Sequence, residues 1–268
     1  MKYAPAFLLA LSFLLMHCGD PSGETAMDSA QTVDKPRLSA DSLRKLYAKY
    51  RAMQADTLPL QQQLEKGKLY PVDEAPRDTA FFVFRQQLID ALTHRRVFGL
   101  LDATAEDVRI EPEQPGQLAA FVEHFHLDTQ APDTLAVWPL LRRVLQEGGT
   151  FSDNGRRFTA PYYAATWPAE LYDPKEYAVI TGTGVRLRQS PSLNGQILKT
   201  LSFHPIVRVH NYGPEEEIGG QRHPWVQIEL DNGAKGYVFG QFLGSPAGPR
   251  LVFEQRDGQW LMVEAVGF

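Results

Sequence analysis

Between Tyr177 and Leu243 apolar and polar positions alternate in short runs punctuated by glycine and proline. Val185-Arg186-Leu187-Arg188 alternates apolar and basic residues, the period of a half-buried strand. Ser190-Pro191-Ser192 and Asn194-Gly195 then turn the chain. Gln196 to Leu201 and Ile206 to His210, rich in β-branched residues, predict the next two strands. Asn211 to Pro224 reads as a loop, and Trp225-Val226-Gln227-Ile228-Glu229-Leu230 alternates strictly again. Asp231-Asn232-Gly233 supplies the positive φ of a tight hairpin, from which Gly236-Tyr237-Val238-Phe239 returns. Several short strands at this spacing predict a small barrel.

Upstream the period changes to that of helices. Leu43, Leu46, Tyr47, Tyr50 and Met53 recur at three-to-four spacing behind the capping residue Ser39, predicting a helix from Ser39 to about Asp56. Leu58 to Pro76 is less regular. Asp78 or Thr79 caps a second helix reaching Thr93, with Phe81, Phe84, Leu88 and Leu92 on one face. Arg95 to Leu101 and Leu118 to Phe125 suit shorter helical pieces. A run from Asp133 to Glu147 carries Leu135, Trp138, Leu141, Val144 and Leu145 as its stripe. Pro139 inside it predicts a start nearer Trp138, or a kink. Gly148-Gly149 ends that helix, and Phe151 and Phe158 flank Asn154-Gly155, the signature of a β-hairpin. An aromatic and proline-rich connector, Ala160 to Pro168, leads into the barrel. Exposed, its side chains would form a sizeable apolar patch, so they are expected to pack the two parts together. A last hairpin pairs Arg250 to Glu254 with Gln259 to Val263 around Asp257-Gly258.

Val185-Arg186-Leu187-Arg188, Ser190-Pro191-Ser192, Ile197-Leu198, Trp225-Val226 and Gly236-Tyr237-Val238 together resemble the bacterial SH3-like domain in spacing as well as residue type. The resemblance covers about a quarter of the chain. It implies ligands held in a groove lined by aromatic and short polar side chains, at positions matching Arg186, Arg188, Tyr212, Trp225, Tyr237 and Phe242 here. Arg186 and Arg188, two apart on a strand, would share a face, where they could hold a carboxylate between them or equally form the polar outer face of that strand. The segment with Glu215-Glu216-Glu217 and Gly219-Gly220 is longer than the family usually has there. Gly148-Gly149-Thr150-Phe151 with Phe158-Thr159-Ala160-Pro161-Tyr162 also looks like a segment that precedes the SH3-like domain in uncharacterised bacterial lipoproteins; that likeness implies no activity.

The fold expected is α+β. A mainly helical domain with a β-hairpin (38–168) precedes an SH3-like barrel (176–246). The C-terminal hairpin (247–268) either joins the barrel or completes the helical domain.

The first residues have a different character. Lys2 is followed by an apolar run from Ala4 to Met16, too short for a permanent bilayer span and suited to a secretory signal. The run ends at Leu15-Met16-His17-Cys18, and Cys18 is the single cysteine of the chain. The position resembles a bacterial lipoprotein cleavage site, although His17 stands where a small residue is usual. This predicts residues 1–18 as signal and lipobox, with acyl chains on Cys18 holding the protein to a membrane in the cell envelope, on its periplasmic or surface face. Residues 19–37, rich in Ser, Thr, Gly, Asp and Pro, read as a flexible tether of about 25 Å.

Composition and motifs then remove classes of function. A net charge of -5 with no basic run argues against nucleic acid as a partner. With its one cysteine at the lipid position, the chain has no thiol left for a cysteine peptidase, a chemistry that SH3-like domains often accompany. It has no Gly-x-Ser-x-Gly elbow and no His-Glu-x-x-His helix. His124 and His126 would diverge on a helix. His204, His210 and His223 read as strand or loop histidines, and Glu111 and Glu113 flank Pro112 in a solvated loop. The expectation is therefore a non-enzyme without metal or cofactor: an anchored envelope protein whose SH3-like module binds cell-wall peptide (peptidoglycan) or an envelope protein. The alternatives are an envelope scaffold with a purely structural barrel, or a hydrolase with its site in the N-terminal domain.

Overall fold

The computed structural model describes residues 39–61, 67–202 and 204–268. The signal, lipid-attachment and tether readings fall outside them. In chain order the elements are α1 (Ala40–Gln61), α2 (Thr79–Thr93), α3 (Val97–Leu101), β1 (Thr104–Arg109), α4 (Leu118–His124), α5 (Val137–Gln146), β2 (Thr150–Ser152), β3 (Arg157–Ala160) and α6 (Tyr162–Ala165). They continue with β4 (Tyr177–Ile180), β5 (Val185–Arg188), β6 (Ile197–Leu201), β7 (Ile206–Ile218), β8 (Gln221–Glu229), β9 (Lys235–Phe239), β10 (Leu243–Gly244), β11 (Arg250–Arg256) and β12 (Gln259–Val266).

The helices begin where their chemistry permits. Ser39 Oγ accepts the Ser42 amide at 3.1 Å ahead of α1, and Asp78 accepts the Phe81 amide at 2.7 Å to cap α2. Helix α5 starts at Val137, which places Pro139 in the first turn, where a missing N–H leaves no helical bond unmade.

Two sheets organise the remainder. The first has the order β1-β12-β11-β3-β2, with β1 parallel to β12 and the other pairs antiparallel. The C-terminal hairpin β11–β12 thus lies at the centre of the N-terminal sheet. One face packs against the helices around Phe81, Phe121, Trp138, Leu141, Phe158, Phe253 and Met262. The opposite face carries ion pairs: Arg109 and Arg157 converge on Glu264, and Arg256 reaches Asp107 at 2.6 Å. The second sheet has the order β10-β4-β7-β8-β9-β5-β6, antiparallel throughout, and curls into a half-barrel around Ile180, Leu187, Val207, Val226, Ile228 and Val238. The protein is α+β.

The sheets meet through the aromatic connector. Tyr162 and Tyr163 are buried with Leu69, Val179 and Ile206. The Tyr163 hydroxyl donates to Glu147 at 2.6 Å, and Arg143 of α5 donates to the Gln241 carbonyl at 2.6 Å. Leu69 N–H donates to the His204 carbonyl at 2.9 Å. Burial beside a carboxylate pushes both tyrosine hydroxyls well above their ordinary range, so Tyr163 keeps the proton it donates to Glu147.

One sequence expectation is corrected, and one strand is added. Residues 211–224 are not a loop, because β7 and β8 continue as a hairpin with Glu216 opposite His223 and Ile218 opposite Gln221. Gly219 and Gly220 turn it with φ of 61° and 76°, the paired positive values of a two-residue I′-type turn. Gly213 and Pro214 are absorbed by a register shift between Tyr212 and Glu215. Thr104–Arg109, unassigned from sequence, is the edge strand β1.

Candidate functional site: a cleft on the half-barrel

A cleft of about 240 Å³ opens on the half-barrel between the segment before β5, the turn after it, the tip of the β7–β8 hairpin and the turn leading to β10. Val185, Trp225 and Phe239 form its floor, and Leu193, Ile218 and Phe242 its rim. Strand alternation places these side chains: Val185 turns inward on β5, leaving Arg186 outward and exposed. Trp225 is packed against Phe239 with ring centroids 5.7 Å apart, and its indole N–H donates to Glu216 Oε2 at 2.6 Å. That bond ties the hairpin to the floor and sets Ile218, two residues on, at the cleft. Phe242 belongs to a 3-10 turn, Gly240–Phe242, and lies against Gly182, where a Cβ would sit 3.1 Å from its ring.

Six residues were singled out from sequence, and the cleft gathers four of them: Arg186, Arg188, Trp225 and Phe242. Tyr212, 65% exposed on β7, and Tyr237, half-buried on β9, lie elsewhere on the barrel. Arg186 and Arg188 do share the outer face of β5, with Val185 and Leu187 in the barrel core, but only Arg186 is exposed. Arg188, opposite Tyr237 of β9, is covered on that face by the turn after β5 until it is 6% exposed, donating to the Gly195 carbonyl at 2.7 Å. Leu193 and Ile218 were missed. Ile218 was legible only if Gly219-Gly220 had been read as a hairpin turn.

The electrostatics are one-sided. Two arginines border the cleft and no acidic side chain does. Among the described residues neither has a carboxylate within ion-pairing distance, and Arg186 has no hydrogen-bond partner either.

Residues 183–244 match the family model described as the bacterial SH3 domain. The half-barrel is a bacterial SH3 domain. The match begins at Thr183, ahead of β5, and ends with β10, so it takes in every residue of the cleft. No curated protein matches the chain. One solved structure, a calcium/calmodulin-dependent protein kinase II association-domain protein from Xanthomonas campestris, aligns over 76% of this chain and 95% of its own at 14% identity. Its TM-score of 0.23 carries no argument.

Away from the cleft the other groups considered for chemistry are engaged in packing or hydrogen bonds. His124 packs edge-on to Phe125, and His126 follows the end of α4 with φ of 54°. His210 Nε2 meets Glu229 at 2.5 Å, His223 packs on Phe239, and His204 is half-buried at the junction beside Tyr162. Glu111 accepts from Gln114 at 2.5 Å. A second hollow of about 430 Å³ lies beside Glu74, Arg77, Asp78, Phe151 and Asn154. Its acids are engaged: Glu74 accepts the Phe151 amide and pairs with Arg77, and Asp78 caps α2. Among the described residues no cluster of His, Cys, Asp and Glu could hold a metal, and no helix is long and apolar enough to cross a membrane.

Proposed function

We propose that this is a non-catalytic cell-envelope protein, lipid-anchored through Cys18, whose SH3 domain binds cell-wall peptide at the cleft between Trp225, Ile218 and Phe242. The bacterial SH3 domain makes this part of the chain a binding module. The observation that carries the reading is the cleft itself: an apolar floor and rim with one unpartnered arginine, the composition of a site for a short chain rather than of a packed core. The engagement of Glu74 and Asp78 by backbone amides and Arg77 supports the non-catalytic reading.

Cosedimentation of the full chain with purified peptidoglycan tests it. Phe242→Ala and Leu193→Ala, both partly exposed, should weaken cosedimentation severalfold while leaving the melting temperature within a few degrees. Trp225→Ala is not a usable probe, because a core tryptophan truncated to alanine costs about 3–5 kcal/mol. Absence of cosedimentation at every salt concentration would sink the wall reading. It would favour the alternative of an envelope scaffold, which draws on the buried junction of Tyr162, Tyr163 and Arg143 with the SH3 domain. The anchor is tested separately, since Cys18→Ser should release the protein from the membrane fraction.

A further inference from the structure

We infer that the SH3 cleft recognises a free carboxylate at the end of a short apolar peptide, with Arg186 as its ion-pairing group and Arg188 as fixed positive charge behind it. This rests on the peptide-binding reading above and names what the peptide must carry.

The inference comes from a comparison within the molecule. Two arginines are buried among the described residues, Arg85 at 1% exposure and Arg188 at 6%. Arg85 meets Asp73 through two bonds of 2.7 Å, the fork geometry that offsets the cost of desolvating a guanidinium. Arg188 has only a neutral acceptor, the Gly195 carbonyl at 2.7 Å, and its charge is left without a counter-ion. Arg186, on the same strand, is exposed, and it too has no carboxylate nearby. Both border one cleft whose other side chains are apolar or small, in a chain with more acidic than basic residues. Low-dielectric walls strengthen the attraction of such a site for an anion.

Shape and lining select the kind of anion. The volume of about 240 Å³ is below the roughly 300–1,000 Å³ of pockets that enclose a whole small molecule, so it suits a chain end. Leu193, Ile218 and Phe242 favour small apolar side chains beside the carboxylate over a hydrated phosphate.

The test uses the full chain, purified in detergent, and displacement from peptidoglycan by synthetic peptides. The probes are N-acetyl-Ala-Ala with a free C-terminal carboxylate, its C-terminal amide, and N-acetyl-Ala-Glu amide, which carries the carboxylate on a side chain. The free acid should displace at least about tenfold better than the amide, the worth of one charge-assisted hydrogen bond. Arg186→Gln should bring acid and amide to within about twofold, and Arg186→Lys should restore part of the difference. The glutamyl peptide should displace more weakly than the free acid, and displacement by it equal to or stronger than the free acid's would overturn the placement of the carboxylate at the chain end. Equal displacement by acid and amide, unchanged discrimination in Arg186→Gln, or inorganic phosphate acting as well as the free acid would each overturn it. If the chain does not sediment with peptidoglycan, the wall reading fails, and calorimetric titration of the same peptides still decides the carboxylate.

Discussion

The Glu216–Trp225 bond joins the long hairpin to the SH3 floor, and its removal should show in both stability and binding. The indole N–H donates to Oε2 at 2.6 Å, and Trp225 is 2% exposed, so Glu216→Ala leaves a buried donor without an acceptor. A donor stranded in this way costs about 1–3 kcal/mol. For a folded unit of this size each kcal/mol corresponds to about 2–4 °C, so a loss of about 2 kcal/mol lowers the melting temperature by about 4–8 °C. Glu216→Gln keeps an acceptor oxygen but loses the charge, and charge-assisted bonds are about twice as strong as neutral ones. It should fall about midway. Calorimetric melts of the two variants and the parent give the stabilities. The Trp225 indole N–H resonance, assigned through Trp225→Phe, should move upfield in both variants, further in Glu216→Ala. A melting temperature unchanged in Glu216→Ala, or a Gln variant as impaired as the Ala variant, would refute the claim that this bond holds the hairpin on the cleft.

Three other perturbations follow from the same structure. Asp73→Asn removes the carboxylate opposite the buried Arg85 guanidinium and should destabilise by about 3 kcal/mol; adding Arg85→Met should recover most of the loss in chemical denaturation, because the buried charge goes with it. His204, at the junction, has its pKa held below the usual histidine value by burial, so the folded state keeps it neutral while the unfolded chain takes up a proton near pH 6.5. Its contribution is complete above that pH and declines as pH falls toward the depressed value. His204→Asn, which tolerates the local φ of 49°, should flatten the stability profile over that window, and an unchanged slope would exclude His204 as its source. Gly220→Val places a β-branched residue at φ of 76° in the hairpin turn and should cost about 1–2 kcal/mol in thermal melts, whereas Gly220→Asn should be nearly silent.

What could be read from sequence was what local side-chain pattern decides. Asp78 at the start of α2, Asn154-Gly155 between β2 and β3, and the alternation of Val185–Arg188 and Trp225–Leu230 each carry their structural reason within a few residues. Strand β1 does not. Thr-Ala-Glu-Asp-Val-Arg has no clean alternation, and it becomes a strand by pairing in parallel with β12, whose Met262 and Glu264 stand opposite Thr104 and Arg109. The β7–β8 extension failed differently. Gly213-Pro214 and three successive glutamates look like a break, but a register shift absorbs the first and the tryptophan indole takes up the middle glutamate. In both places a pairing partner, distant for β1 and across the turn for β7, overrides local propensity.

The site shows the same division between direction and depth. A period of two puts Arg186 and Arg188 on one side of β5, and from that rule alone they form a matched exposed pair. The turn after β5 breaks the equivalence in depth, covering the Arg188 guanidinium on the Gly195 carbonyl and leaving Arg186 at the rim. Their chemistry then differs. Arg188 supplies a fixed charge that cannot leave, while Arg186 is free to close on a ligand. The cleft between them is also held from outside the SH3 domain, because Arg143 of α5 binds the Gln241 carbonyl immediately before Phe242. The Phe242 wall therefore takes its position from the helical part of the chain, which gives that part a physical role in whatever the SH3 domain binds.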